Sequence, residues 1–302
     1  MTLRHFLEMG DLSAEEVARV LALAASPKES LGAPLSGEGV ALIFEKPSNR
    51  TRQSMEMAVV QLGGHPVYTR GEEVGFDVRE SVEDVTRIMQ GYHRVLAARV
   101  FDHSIVERMA AVSAVPVVNM LSDHSHPLQA LADVLTMVQE WGSLANRTVA
   151  YVGDFNNVAR SLTQACVMLG AHVRLGCPVG YNASDGDLMQ FAEMGPGTAL
   201  QFADPTTAVV DADAVHTDTW TSMGQETQRA ERHEIFSRYQ VNDALMAGAS
   251  PGALFMHCLP AHRGLEVSAE VIDGSTSRVI RQGHNRMHAA RGLLAFLMGV
   301  RI

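Results

Sequence analysis

The stretch Gly39-Val40-Ala41-Leu42-Ile43-Phe44-Glu45-Lys46-Pro47-Ser48-Asn49-Arg50-Thr51-Arg52 decides the fold class. Its first six residues are a short apolar run of the kind that forms a strand buried on both faces. A polar loop with one proline follows, and Ser54–Leu62 then reads as a helix. Strand, loop and helix are the first parts of a βαβ unit. The alternation continues down the chain. Helices are expected at Ser81–Tyr92 and Ser104–Ser113, and strands at Val95–Phe101 and Pro116–Met120. Upstream, Ser13-Ala14-Glu15-Glu16 has the capping-box pattern that opens a helix.

A long helix is expected from Pro127 to about Trp141, and Gly142–Asn146 reads as a junction. A second alternating series starts at Thr148-Val149-Ala150-Tyr151-Val152. It continues through strands near Val173, Ala199–Phe202, Ala214–Thr217 and Ala253–His257. Met287–Met298 closes the chain as a helix. The expectation is an α/β protein with two doubly wound parallel-sheet domains. Residues 1–141 form the first, 146–284 the second, and a C-terminal helix, 285–302, returns to the first. A chain of 302 residues suits two domains of ordinary size.

Charge narrows the chemistry. The formal net charge is -10, which argues against a nucleic-acid surface. Lys28 and Lys46 are the only lysines, so there is no GxxxxGK[ST] phosphate loop and little scope for a Schiff base. Any phosphate would be gripped by arginines, whose planar fork suits it. Cys166, Cys177 and Cys258 form no CxxC pair, so neither a disulfide framework nor a cysteine zinc site is expected. Met1–Leu12 carries Arg4, His5, Glu8 and Asp11 and reads as no signal peptide, and no apolar run reaches membrane-spanning length. The expectation is a cytoplasmic protein.

The loop after the first strand is a natural anion site. A helix N-terminus presents unpaired N–H groups and partial positive charge, to which Ser48 and Thr51 add hydroxyls and Arg50 and Arg52 full charge. Spacing alone fits equally well an N-cap followed by two solvated arginines. His126-Pro127-Leu128-Gln129 starts the long helix, with His126 and Gln129 able to face one way. Arg99 ends a predicted strand, where α/β sheets place ligands. In the second half stand Gly153-Asp154-Phe155-Asn156-Asn157, Asp218-Thr219-Trp220-Thr221-Ser222-Met223-Gly224, His257-Cys258-Leu259-Pro260 and Gly283-His284-Asn285-Arg286. The first sits where a dinucleotide fingerprint would, but GxGxxG is absent.

Taken in order, these motifs resemble those of the aspartate/ornithine transcarbamylase family along essentially the whole chain. Ser48–Arg52 is similar to the family's Ser-Thr-Arg-Thr-Arg loop, with Asn49 in place of the first Thr, so that hydroxyl is missing. The resemblance implies a carbamoyl-phosphate site made of Ser48, Asn49, Arg50, Thr51, Arg99, His126, Gln129, Cys258, Leu259 and Arg286. Arg99 and His126 would serve the carbonyl oxygen as in an oxyanion hole. The Ser222-Met223-Gly224 segment resembles the ornithine branch. It implies an ornithine site of Asn157, Asp218, Ser222 and Met223, with Asp218 and Cys258 around the attacking nitrogen. Arg99, His126, Asp218 and Cys258 are the implied catalytic residues.

The implied reaction carries a carbamoyl group from carbamoyl phosphate to the side-chain amine of L-ornithine, with no metal and no organic cofactor. The resemblance also implies a homotrimer with active sites at subunit interfaces, a neighbour contributing from the loop near Glu72–Glu80. Gly75 stands there where relatives carry His or Gln. The alternatives are another amine acceptor such as putrescine or an acylated ornithine, a dinucleotide-dependent oxidoreductase on the second half, and a non-catalytic binding homologue.

Overall fold

The computed structural model describes residues 3–221 and 226–301. They divide into two units. One runs up to Leu135 and resumes at His284; the other is Thr136–Gly283.

The first unit opens with α1 (Ala14–Ala25), capped by Ser13 and Glu16 in the anticipated capping box. β1 (Gly39–Phe44), α2 (Asn49–Gln61), β2 (His65–Arg70), α3 (Gly71–Val74) and α4 (Val82–Met89) follow. Then come β3 (His93–Arg99), α5 (His103–Val112), β4 (Val117–Leu121) and α6 (Pro127–Trp141). The sheet is parallel throughout, in the order β2-β1-β3-β4. Ala41, Ile43, Leu96 and Ala98 from its central strands pack on Val106 and Met109 of α5.

The chain passes from β1 to β2 on one side and then to β3 on the other. The order therefore reverses between β1 and β3, and ligands of α/β sheets bind in the crevice beyond such a point. The loop Glu45–Ser48 and Arg99 lie at the carboxyl ends of those two strands, and Glu45 N donates to Arg99 O at 2.9 Å.

The second unit has β5 (Thr148–Val152), α7 (Asn157–Met168), β6 (His172–Gly176), α8 (Asp185–Met194) and β7 (Thr198–Phe202). After these stand α9 (Pro205–Val209), β8 (Ala214–Thr217), α10 (Arg229–Phe236), α11 (Asp243–Met246), β9 (Leu254–His257) and α12 (Ala269–Ile272). Its parallel sheet runs β7-β6-β5-β8-β9. Val152, Val215 and Phe255 line one face of its core with Trp220 and Phe236. The reversal here falls between β5 and β8, so the segments after β5, β8 and β9 cluster at one sheet end.

The chain ends in α13 (Val279–Leu297). From His284 onward it belongs to the first unit. Arg291 donates to Ala24 O at 3.0 Å, Ser26 O at 2.7 Å and Gln61 Oε1 at 2.8 Å, so one buried guanidinium ties α13 to the C-terminal ends of α1 and α2. Gly292 is required by this packing, because a Cβ there would lie 2.6 Å from Ala24 N.

Three expectations are corrected. The strand β2 has no counterpart among the predicted strands: it carries Pro66 and is only partly buried, as befits an edge strand that can spare a donor. α2 begins at Asn49 rather than Ser54, because Ser48 caps it and the polar Asn49–Gln53 turn is already helical. α13 begins at Val279 rather than near Asn285, so Arg286 lies well inside the helix. Among the described residues no helix is long and apolar enough to cross a membrane.

Candidate active site

In the first unit the polar side chains converge on Thr51. Ser48 caps α2, its Oγ accepting from Thr51 N at 3.4 Å and donating to Thr51 Oγ1 at 3.1 Å. Arg99 donates to the same Oγ1 at 3.4 Å, and Arg286 at 2.5 Å. Arg286 also donates to Gln129 Oε1, and Gln129 Nε2 donates to Asp133 Oδ1 at 2.7 Å. Residues from four separate stretches of sequence are thereby joined around the N-terminus of α2. Thr51, Arg99, His126, Gln129 and Arg286 are all buried. Two buried guanidinium groups beside the free N–H groups of a helix make a strongly anion-seeking corner.

His126 precedes α6 and is held by a turn. Ser122 N donates to Ser125 O at 2.9 Å, and Ser125 N to Ser122 Oγ at 3.1 Å. Asn119 of β4 donates from below to Leu7 O at 2.9 Å and Ser125 O at 3.3 Å. Burial, then the charges of Arg286 and Arg99, push the His126 pKa well below its usual value. The imidazole is therefore neutral at pH 7 and can donate one N–H to a carbonyl oxygen without bringing a third positive charge.

The two arginines of the loop part company. Arg52 is exposed, pairs with Glu56 at 2.8 Å and lies 3.8 Å over the Tyr68 ring. Arg50 is half-buried and pairs with no described side chain. Asn49 accepts from Gln53 Nε2 at 2.7 Å, so its side chain is turned along the helix and its backbone N–H is what it offers an anion.

In the second unit the centre is Asp218, buried at the end of β8. Cys258, just after β9, donates from Sγ to Asp218 Oδ1 at 3.1 Å. Asn156 donates from Nδ2 to Asp218 Oδ2 at 2.8 Å. Asn157 is the first residue of α7 and half-buried, adjacent to this contact in sequence. Ser222 and Met223 lie outside the described residues.

Two buried braces surround Asp218. Asp154 pairs with Arg232 of α10, which also donates to Trp220 O at 2.5 Å. Burial nonetheless raises the Asp154 pKa, with Arg232 opposing. Leu259, at φ 57°, donates its N–H to His257 Nδ1 at 2.9 Å. That bond makes Nδ1 the acceptor, so Nε2 carries the proton and donates to Glu266 Oε1 at 3.2 Å. Burial works to raise Glu266, but the hydrogen bonds from His257 and the His262 backbone leave its pKa lowered.

Asp218, His257 and Cys258 place one metal-ligand type of atom each within 4.8 Å of one another. Both His257 nitrogens are already engaged, which leaves the trio reading as a hydrogen-bonded scaffold. Cys166 and Cys177 are buried, and burial pushes the Cys177 thiol pKa far upward, the mark of an inert thiol.

Asn119, Asn156, Arg232 and Glu266 were not singled out in the sequence. Asn119 and Asn156 had one local signal each, an Asn within an apolar strand and an Asn before a helix, but the bonds from Asn156 to Asp218 and from Arg232 to Asp154 span 62 and 78 residues.

Comparison with known proteins agrees in both halves. The carbamoyl-P binding domain of aspartate/ornithine carbamoyltransferases matches residues 4–139, and the Asp/Orn binding domain of the same proteins matches residues 145–297. The chain belongs to the aspartate/ornithine carbamoyltransferase family. An ornithine carbamoyltransferase of Parafrankia sp. is 43% identical, the match covering 99% of this chain and 97% of that one. An anabolic ornithine carbamoyltransferase of Pyrococcus furiosus is 44% identical, covering 98% and 96%. The solved structure of ornithine carbamoyltransferase from Pyrococcus furiosus superposes with a TM-score of 0.94 at 42% identity, covering 99% and 98% of the two chains. A solved N-acetyl-L-ornithine transcarbamylase is a more distant member, at 27% identity and a TM-score of 0.88, covering 98% and 100%.

Proposed function

We infer that this carbamoyltransferase moves the carbamoyl group of carbamoyl phosphate to the δ-amine of L-ornithine, giving L-citrulline and phosphate. The observation that carries this reading is the identity of 43–44%, over nearly all of both chains, to proteins named ornithine carbamoyltransferase.

The first unit is assigned as the carbamoyl-phosphate-binding domain and the second as the ornithine-binding domain. Ser48, Asn49, Arg50, Thr51, Gln129 and Arg286 hold the phosphate and amide ends of carbamoyl phosphate, with Cys258 and Leu259 completing its surroundings. Arg99 and neutral His126 donate to the carbonyl oxygen and stabilise the charge that grows there. Asn157, Ser222 and Met223 take the amino-acid end of ornithine, and Asp218 receives the ammonium. The ammonium gives up one proton to solvent, and the neutral amine attacks the carbonyl carbon. The carbon–oxygen bond to phosphate breaks, and phosphate leaves with that electron pair and takes up the surplus proton of the nitrogen. No electron is transferred, so the step calls on no redox cofactor. Rate comes from holding two reactants in line and from charge arranged in advance. The enzyme is assigned as a cytoplasmic homotrimer with active sites at its subunit interfaces.

A colorimetric citrulline assay with carbamoyl phosphate and a panel of amines tests the reading. L-Ornithine should be the preferred acceptor, with putrescine, N-acetyl-L-ornithine and L-aspartate far slower. Preference for any of those three would reassign the substrate.

A further inference from the structure

We propose that Asn156 is a positioning residue for the reaction, its side-chain amide orienting the Asp218 carboxylate toward the incoming amine. The proposal rests on the functional reading above, in which Asp218 receives that amine.

The orientation of the amide is dictated by α7. Asn156 is the N-cap of this helix, its Oδ1 accepting from Val158 N at 2.9 Å and Ala159 N at 3.1 Å. The Tyr151 hydroxyl lies 3.5 Å from the same oxygen. With the oxygen committed to these donors, only Nδ2 faces Asp218. The flipped amide would set a carbonyl oxygen against a carboxylate and an NH₂ group against two backbone N–H groups, both unfavourable.

The amide in turn dictates the carboxylate. The last torsion of an aspartate is broad and roughly two-fold, so an unheld carboxylate turns freely. Here Asn156 Nδ2 takes Oδ2 and Cys258 Sγ takes Oδ1. Donors on both oxygens fix its plane. The N-terminus of α7 also favours the negative charge it faces. Asn156 thus connects a backbone feature, the start of a helix, to the geometry of the carboxylate assigned to receive the amine.

The test separates capping from orientation. Serine and aspartate cap helices about as well as asparagine, whereas alanine does not. A serine hydroxyl, however, ends one bond short of the amide nitrogen, and an aspartate sets a second carboxylate against Asp218. Asn156→Ser, Asn156→Asp and Asn156→Ala are compared for thermal midpoint, kcat, and KM for each substrate.

Orientation predicts that Asn156→Ser keeps a midpoint near wild type while kcat falls about 10- to 100-fold, the range for a lost hydrogen bond to a charged group. KM for carbamoyl phosphate should not change. Asn156→Asp should be the slowest of the three, and Asn156→Ala should lose stability as well. A purely structural cap predicts the reverse pattern, with stability and rate lost together and only in Asn156→Ala. A kcat for Asn156→Ser within twofold of wild type would overturn the proposal, and that variant decides alone should Asn156→Asp fail to fold. Wild-type protein that makes no citrulline would instead remove the functional reading on which the proposal stands.

Discussion

Cys258 Sγ donates to Asp218 Oδ1 across 3.1 Å, and strand register is what brings the two together. Thr217 of β8 stands opposite His257 of β9, so the next residue of each strand, Asp218 and Cys258, leaves the sheet side by side. The contact makes the thiol a donor and leaves the carboxylate an acceptor. Cys258→Ala removes that donor and frees the carboxylate on one side, while Cys258→Ser offers a hydroxyl of shorter reach. Steady-state kinetics should show kcat/KM for ornithine falling roughly 10-fold or more in Cys258→Ala and less in Cys258→Ser, from the size of a charge-assisted hydrogen bond. KM for carbamoyl phosphate should change by a smaller factor, since Cys258 also borders that substrate in the proposed site. An alanine variant with wild-type kinetics would remove the thiol from the site.

Arg50 and Arg52 should differ sharply although one residue separates them. Arg52 is committed to Glu56 and to the Tyr68 ring, at the surface. Arg50 has no such commitment among the described residues and stands in the first turn of α2, where an anion would sit. Arg50→Ala should raise KM for carbamoyl phosphate by roughly 100-fold or more, since a charged partner to phosphate is lost. Arg52→Ala should change it by less than about threefold. Equal effects of the two substitutions would contradict the division of labour.

The parallel two-unit architecture was legible because its central strands are uninterrupted apolar runs, such as Val40–Phe44 and Val149–Val152. The edge strand β2 was not, because an edge need be neither apolar nor free of proline. Helix starts were misplaced at Asn49 and Val279 for a related reason: capping and tertiary packing made polar turns helical. The site was legible as separate stations but not as a network. Motifs supply Ser48, Thr51, Arg99, Gln129 and Arg286 one by one, whereas the convergence of Ser48, Arg99 and Arg286 on the Thr51 hydroxyl, with Gln129 joined through Arg286, depends on chain crossings that no local pattern encodes. Asn156 shows the limit most clearly, since its cap is a local feature and its bond to Asp218 spans 62 residues.

His126 should impose a pH dependence on stability. Its folded pKa is held well below the unfolded value of about 6.5 by burial and by Arg286 and Arg99. Below pH 6.5 the unfolded chain therefore binds a proton that the native chain refuses. The slope of unfolding free energy against pH is then positive, so stability is full above about pH 6.5 and is lost as pH falls from there toward the lowered folded pKa. His5, His93 and His288 are also lowered by burial and act with the same sign. The informative quantity is thus the difference between wild type and His126→Asn. Urea unfolding at pH 8, 7, 6 and 5 should show a shallower acid loss in the variant. Parallel curves would mean that His126 takes up its proton in the native state.

The rate should rise toward alkaline pH. A free alkylamine of the lysine type has a pKa of about 10.4, and only its neutral form has a lone pair for attack. That form is scarce at pH 7, so kcat/KM for ornithine should climb roughly tenfold per pH unit over part of the range. Asp218 works against the supply of neutral amine, because a nearby carboxylate favours the ammonium. In the proposed mechanism its value lies elsewhere: with both oxygens bonded to Asn156 and Cys258, it would align the nitrogen and receive the positive charge that grows there as the bond forms. Asp218→Asn keeps the shape but loses the charge, and the new amide must turn its NH₂ toward one of two existing donors. The variant should accordingly remain slow even at pH 9.5, where neutral amine is roughly 300-fold more abundant than at pH 7. Measuring kcat/KM from pH 6 to 9.5 for both proteins separates the two contributions. A flat wild-type profile would sink attack by the free amine, and a variant fully rescued at high pH would leave Asp218 no part beyond ground-state binding.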